Sequence, residues 1–235
     1  MHAPNIELAI FDMAGTTVYD ENFVSRTLCN ALALHGYDAI TLDAANAVMG
    51  IAKPVAIKML LDLFYPEEKN PPIHQIHESF LEIMISFYTT APEVVEMEGT
   101  TDVFVQLKKM GIKIGLDTGF SRDITDIIIK RLGWDRDEIL DVSIASDEVA
   151  QGRPYPDMIY KAMNLLNIDD AKKVAKIGDT PVDLQEGNNA SCGLVIGVLS
   201  GAANKETLLQ YPHTHLANSV IEIPGIIHEC NSVLV

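Results

Sequence analysis

Cysteine is scarce in this chain of 235 residues: Cys29, Cys192 and Cys230 are its only three. Their scatter provides neither a disulfide framework nor a zinc-ligand pattern. They read instead as small apolar residues buried in a protein kept in a reducing cytoplasm. Positive charge is scarce as well. Seventeen Lys and Arg face 33 Asp and Glu, for a net charge of −16 with no basic cluster. A nucleic-acid backbone is therefore disfavoured as a partner, and a small anionic substrate would need local cations or a metal against that field. Long apolar runs are missing too. The longest, Leu194 to Leu199, has the length of a strand and falls far short of a membrane span. Met1-His2-Ala3-Pro4-Asn5 has neither the charged nor the apolar region of a signal peptide. The expectation is a soluble cytoplasmic protein, and its 48% hydrophobic content suffices for one large domain or a core with an insertion.

What is present alternates. Apolar runs at Ile6–Phe11, Ile112–Leu116, Val142–Ala145, Val174–Ile177 and Leu194–Val198 read as strands. Helical periodicity falls on Thr101–Met110, Ser121–Leu132 with Ser121 as N-cap, Pro156–Leu166 and Val182–Asn189. Between the first two strands the pattern is helical only. Phe23 to Gly36, Val55 to Tyr65 and Ile73 to Thr89 are helices, with a break at Met49–Pro54 and a loop at Pro66–Pro72. This predicts an α/β fold, a Rossmann-like parallel-sheet core interrupted by an all-helical cap. The core would comprise residues 1–17 and 97–235, the cap residues 18–96. A cap there would cover the carboxyl ends of the strands, where open α/β sheets hold their sites.

Four segments at strand ends or before a helix carry chemistry: Asp12-Met13-Ala14-Gly15-Thr16-Thr17, Asp117-Thr118-Gly119-Phe120, Gly152-Arg153-Pro154-Tyr155-Pro156, and Gly178-Asp179-Thr180-Pro181-Val182-Asp183. Phosphoryl transfer needs a nucleophile, neutralisation of the phosphoryl oxygens and in-line positioning. Asp12 can attack, with Mg²⁺ between it and Asp179. Thr118 and the amides around Gly119 can hold phosphoryl oxygens, and Arg153 can neutralise developing charge. Singly, each has a plainer reading: a turn aspartate, a cap hydroxyl, a surface ion pair, acids favouring a helix dipole. Together, in this order, they are hard to explain as caps.

The ordered set resembles the haloacid dehalogenase superfamily over essentially the whole chain, and within it the phosphonatase-like branch. Alanine at position 14, where a second aspartate is usual, arginine at 153, where the core lysine is usual, and Met49-Gly50-Ile51-Ala52-Lys53 all look like that branch. The resemblance implies an aspartyl-phosphate on Asp12 and Mg²⁺ held by Asp12, the Ala14 carbonyl and Asp179, with Asp183 supporting the metal or its waters. It also implies Thr118 and Arg153 on the phosphoryl group, Met49 and Gly119 in the substrate site, and Lys53 as a Schiff-base lysine.

Lys53 gives Ala14 chemical sense. An alkoxide leaving group needs a proton donor. If Lys53 condenses with a carbonyl beside a phosphonate, the iminium draws in the electrons of the breaking C–P bond, and no acid is needed at position 14. Taken without that context, Lys53 would read as a solvated lysine like Lys58 and Lys69. The chain departs from phosphonatase at Ala56, where that family has histidine, and at Phe120, where it has tyrosine. The substrate therefore stays open between a small carbonyl phosphonate and a phosphate ester, the latter implying a phosphatase or phosphomutase. A non-catalytic phosphometabolite-binding protein is a third reading. His213 and His215 have near metal-ligand spacing but read as a sheet edge or turn, and Trp134 as packing. The Ile- and Met-rich cap helix fits either a homodimer contact or packing within the cap.

Overall fold

The computed structural model describes residues 5–136 and 139–232; the reading of Met1–Pro4 lies outside them. Its centre is one six-stranded, all-parallel sheet in the order β3-β2-β1-β4-β5-β6. The strands are β1 (Leu8–Phe11), β2 (Lys113–Thr118), β3 (Val142–Ala145), β4 (Val174–Gly178), β5 (Leu194–Val198) and β6 (His215–Ala217). This is the doubly wound, Rossmann-like order, which reverses direction between β1 and β4 and opens a crevice at their carboxyl ends.

Side-chain alternation along β1 divides the core. Ala9 and Phe11 face one apolar layer, while Leu8 and Ile10 face another. On the first side lie α5 (Thr100–Lys109), α6 (Arg122–Leu132) and α10 (Ile223–Ser232); on the second lie α7 (Asp157–Leu166), α8 (Pro181–Asn189) and α9 (Lys205–Leu208). Both faces are covered, which is why the strands read as nearly continuous apolar runs.

Between β1 and α5 the chain forms α1 (Phe23–Leu34), α2 (Leu42–Asn46), α3 (Lys53–Phe64) and α4 (Ile73–Thr90). α4 presents Ile76, Phe80, Met84 and Tyr88 at helical spacing, all buried, and packs on α1, α3 and α6. Ile76 and Met84 thus pack within the chain. The apolar cluster they build is continuous with Phe11, Phe120 and Ile124. The chain enters and leaves this helical region through a short ribbon. Tyr19 N donates to Val95 O (3.0 Å), Met97 N donates to Thr17 O (2.9 Å), and Val18 bridges Glu96.

Several boundaries differ from expectation. α3 begins at Lys53, two residues before Val55, because proline in a first helical turn gives up an N–H that has no partner there anyway. Ser121 occupies the N-cap of α6, but its hydroxyl makes no cap bond. β6, α2, α9 and α10 carry too few periodic residues, or internal Pro and Gly, to be read from the chain. His215 opens β6, the edge strand, and His213 Nδ1 contacts Tyr211 O (2.7 Å). Trp134 is buried, donates Nε1–H to Thr101 Oγ1 (3.0 Å) and meets Phe104 edge to face. Cys192 is buried as expected, whereas Cys29 and Cys230 are only half-buried. Among the described residues no helix is long and apolar enough to cross a membrane.

Candidate active site

The crevice at the β1–β4 reversal holds a chamber of about 220 Å³. Asp12, Ala14, Met49, Lys53, Thr118, Gly119 and Asp179 all line it, so residues far apart in sequence converge because parallel strands end side by side. Asp12 follows β1 directly, and its amide donates to Ile177 O in β4 (2.9 Å). The turn after it requires glycine. Gly15 has φ +88°, and a Cβ there would lie 2.5 Å from Asp179 Oδ2, so only a bare backbone fits in that conformation. Asp179 is fixed by Thr16 Oγ1–H (2.9 Å) and by Ala202 N–H (2.6 Å).

Asp12, Asp179 and Asp183 bring carboxylate oxygens within 4.8 Å of one another. An all-oxygen, anionic set of this kind suits a small hard divalent cation. Burial raises Asp179 well above the usual carboxylate range, and the charges of Asp12 and Asp183 push the same way. Asp12 is raised to about 6 by burial, against the pull of Arg153.

Arg153 is buried beside the chamber rather than on its wall. Its Nη1 meets Asp12 Oδ1 at 2.5 Å and Asp183 Oδ1 at 3.0 Å, its Nε meets Glu186 Oε2 at 3.0 Å, and its Nη2 contacts the Asp117 carboxylate. Lys176, inside β4 and fully buried, contacts Asp117 and lies 3.2 Å from Asp183 Oδ1 and 3.0 Å from Glu186 Oε2. Asp183 therefore spends one oxygen on these cations. Its other oxygen accepts from Thr180 N–H (3.1 Å) and Thr180 O–H (2.5 Å) at the start of α8. Burial raises Glu186 to about 8, with the Asp117 charge adding to it.

Four buried carboxyls (Asp12, Asp117, Asp183 and Glu186) thus contact two cations, Arg153 and Lys176, and a fifth, Asp179, lies beside them without touching either. A proton retained on Glu186 and a divalent cation held by the Asp12, Asp179 and Asp183 group would neutralise the excess. The residues present fit such an ion. Asp117 opens one of the four sequence segments but has no role there, and Lys176 and Glu186 fall outside all four. The available signal was a lysine inside the apolar run Val174-Ala175-Lys176-Ile177, where a fully buried charge demands a partner.

Lys53 lines the same chamber from the helical region between β1 and α5. It sits in the first turn of α3, only 4% exposed, with Nζ–H donating to Ile51 O (3.3 Å). The rings of Phe80 and Phe120 each lie 5.8 Å from Nζ. Burial lowers its pKa to about 8, while Asp12 and Asp20 pull it back up. Lys58, by contrast, is exposed and pairs with Asp62 (2.6 Å). Ala56 is completely buried in the apolar cluster, and Phe120 packs edge to face on Tyr88. Both departures from the phosphonatase pattern are filled by packing. The loop carrying Met49 and Gly50 rests on the end of β2, where a Cβ at Gly119 would meet Gly50 O at 2.8 Å.

Residues 6–191 match the haloacid dehalogenase-like hydrolase family. The chain is similar to a phosphonoacetaldehyde hydrolase of Bacillus cereus (strain G9842), with 32% identity over 211 residues that cover 84% of this chain and 77% of the other. Among solved structures it superposes on a phosphonoacetaldehyde hydrolase-like protein from Oleispira antarctica (TM-score 0.84, 20% identity, 99% of this chain and 95% of that one). It also superposes on a proposed β-phosphoglucomutase from Bacteroides vulgatus (TM-score 0.82, 17% identity, 99% and 91%). The parallel sheet, the acids at its β1–β4 reversal and these likenesses agree: the chain belongs to the haloacid dehalogenase-like hydrolases, in their phosphonatase-like branch.

Proposed function

We propose that this hydrolase cleaves the C–P bond of a small carbonyl phosphonate, through an aspartyl-phosphate on Asp12 and a Schiff base on Lys53. The observation that carries the reading is the buried lysine on the wall of the chamber that Asp12 also lines. Burial brings its pKa to about 8, so a useful share of neutral, nucleophilic amine exists near neutral pH. The aldehyde-bearing phosphonate named for the Bacillus cereus relative is the first substrate to test.

The chain's own groups divide the work. Lys53 adds to the carbonyl, loses water and becomes an iminium. Asp12, held by Arg153, attacks phosphorus as the C–P electrons move toward the iminium, leaving an enamine on Lys53. Thr118 and the backbone near Gly119 position the phosphoryl oxygens, while Arg153, from beside the chamber, fixes the nucleophile and offsets its charge. Water protonates the enamine carbon, a second water releases the aldehyde from Lys53, and another hydrolyses the aspartyl-phosphate. Asp12, the Ala14 carbonyl and Asp179, with Asp183 in support, are the groups that would hold Mg²⁺. When bound, the ion would offset charge on the phosphoryl oxygens as the carboxylate attacks. Residues 18–96 act as the cap that brings Met49 and Lys53 over the core formed by 1–17 and 97–235.

A second reading, hydrolysis or transfer of a phosphate ester, draws on the packing-filled Ala56 and Phe120 and on the proposed phosphoglucomutase among the structural neighbours. Borohydride added during turnover of phosphonoacetaldehyde separates the two. The expected result is a reduced adduct on Lys53 by mass spectrometry and loss of that activity in Lys53→Ala. Efficient alkyl phosphate hydrolysis, undiminished in Lys53→Ala and without any adduct, would favour the ester reading.

A further inference from the structure

We propose that Asp20 is the acid–base group of the Lys53 step, giving a proton to the carbinolamine oxygen and taking it back when the iminium is hydrolysed. The assignment rests on the Schiff-base reading above and deepens it. When an amine adds to a carbonyl, a C–N bond forms and a hydroxyl remains on the same carbon. That C–O bond breaks, with nitrogen supplying the electron pair, once a proton converts the hydroxyl into departing water. The proton needs a donor in the chamber.

The titratable side chains on the chamber wall are Asp12, Asp20, Lys53 and Asp179. Asp12 is engaged by Arg153, and Asp179 by Thr16 and Ala202; both belong to phosphoryl transfer. Lys53 is the nucleophile. Asp20 is left, and the chemistry above gives it no other part.

Its placement suits the task. Asp20 lies between β1 and α1, where Oδ1 accepts from the amides of Phe23 (2.7 Å) and Val24 (3.3 Å). One oxygen is thereby fixed, and the carboxyl is held rigidly on the wall it shares with Lys53. The charged and titratable groups that face it are Lys53 from α3, Arg26 from α1 and the buried Tyr88 from α4. Burial lifts the Asp20 carboxyl above its ordinary range, opposed by those amides and by the two cations. It therefore keeps a proton to higher pH than a solvated aspartate would. Protonated Asp20 donates, water leaves and the iminium forms. When water later adds to the iminium, the carboxylate accepts a proton from it and the cycle closes.

The test measures the rate of borohydride trapping of phosphonoacetaldehyde on Lys53 in wild type, Asp20→Asn and Asp20→Ala, the last with and without added formate. Asp20→Asn keeps an acceptor for the Phe23 and Val24 amides, so it separates proton transfer from the start of α1. Trapping slowed by about 10²-fold in both variants, the usual scale for losing an acid–base group, with formate restoring Asp20→Ala, is the expected result. Wild-type trapping rates in Asp20→Asn overturn the assignment, even if Asp20→Ala is slow, because only a structural role would then remain. Absence of trapping in wild type overturns instead the Schiff-base reading underneath it.

Discussion

At the scale of single residues, the site is a contest between burial and partners. Asp12 and Lys53 are both almost withdrawn from water, and each is shifted toward its neutral form by that burial. For Lys53 the sign is clear. Its pKa falls from 10.5 to about 8, so the amine is neutral above that pH and charged below it. In Asp20→Asn, where no carboxyl titrates beside the amine, the rate of Schiff-base trapping should rise about tenfold per pH unit up to pH 8 and flatten beyond. A rate independent of pH from 6 to 9 in that variant would contradict a buried, titrating amine. Asp12→Asn should abolish phosphate release, because the other chamber carboxyls are held elsewhere, Asp179 by Thr16 and Ala202 and Asp20 by the Phe23 and Val24 amides; phosphate detection under excess substrate checks this. The strand-end aspartates, Thr118 and Arg153 were legible in the sequence because each lies at the end of a recognisable strand or just ahead of a recognisable helix. Asp20 and Lys176 were not: one lies in a connecting segment and reads as a cap for the helix that follows, the other hides in an apolar run and finds its partners only through tertiary contacts.

At the scale of elements, β4 and α8 carry the support of the site. Lys176, on β4, and Glu186, on α8, meet Asp117 from β2 and Arg153 from the segment before α7. All are buried, so removing one partner strands a charge away from water. Lys176→Met should lower unfolding free energy by about 3–5 kcal/mol, read from urea titrations of wild type and variant. Unchanged stability would mean that the remaining acids simply protonate. The strands themselves were legible wherever both faces are covered, as in β1, β2, β4 and β5. β6, three residues at the sheet edge, has no such signature. α3 shows a further limit: Pro54 reads as a break in the chain, yet it sits inside the first turn, placing Lys53 on the helix rather than ahead of it. Gly119 belongs to this scale as well. Its lack of a Cβ lets the Gly50 backbone approach, so Gly119→Ala should push the two segments apart and raise KM for the phosphonate more than it lowers kcat.

At the scale of the whole molecule, a net charge of −16 sets a field that repels an anionic substrate, and the site must answer it locally. Lys53 and the cation that the acidic cluster would hold supply the answer. Chelation with EDTA should therefore abolish turnover, and added Mg²⁺ should restore it. The thermal midpoint should fall on chelation, because the crowded carboxyls then face one another unshielded; calorimetry with and without chelator measures this. The overall plan of sheet and interrupting helices follows from the spacing of apolar runs. What the runs do not convey is that the helices share one apolar cluster with the sheet, since that depends on α4 packing against α6.

The ribbon at Val18 and Glu96 has a consequence for how such a protein can change. The chain departs from the sheet and comes home at neighbouring backbone positions, so everything between them is a detour whose two ends already touch. Joining Tyr19 to Val95 by a tight turn would leave the strand order intact. The stretch that carries Lys53 is thus tied to the sheet at a single doorway, and any replacement entering there would have to cover Phe120 and Ile124 as α4 does.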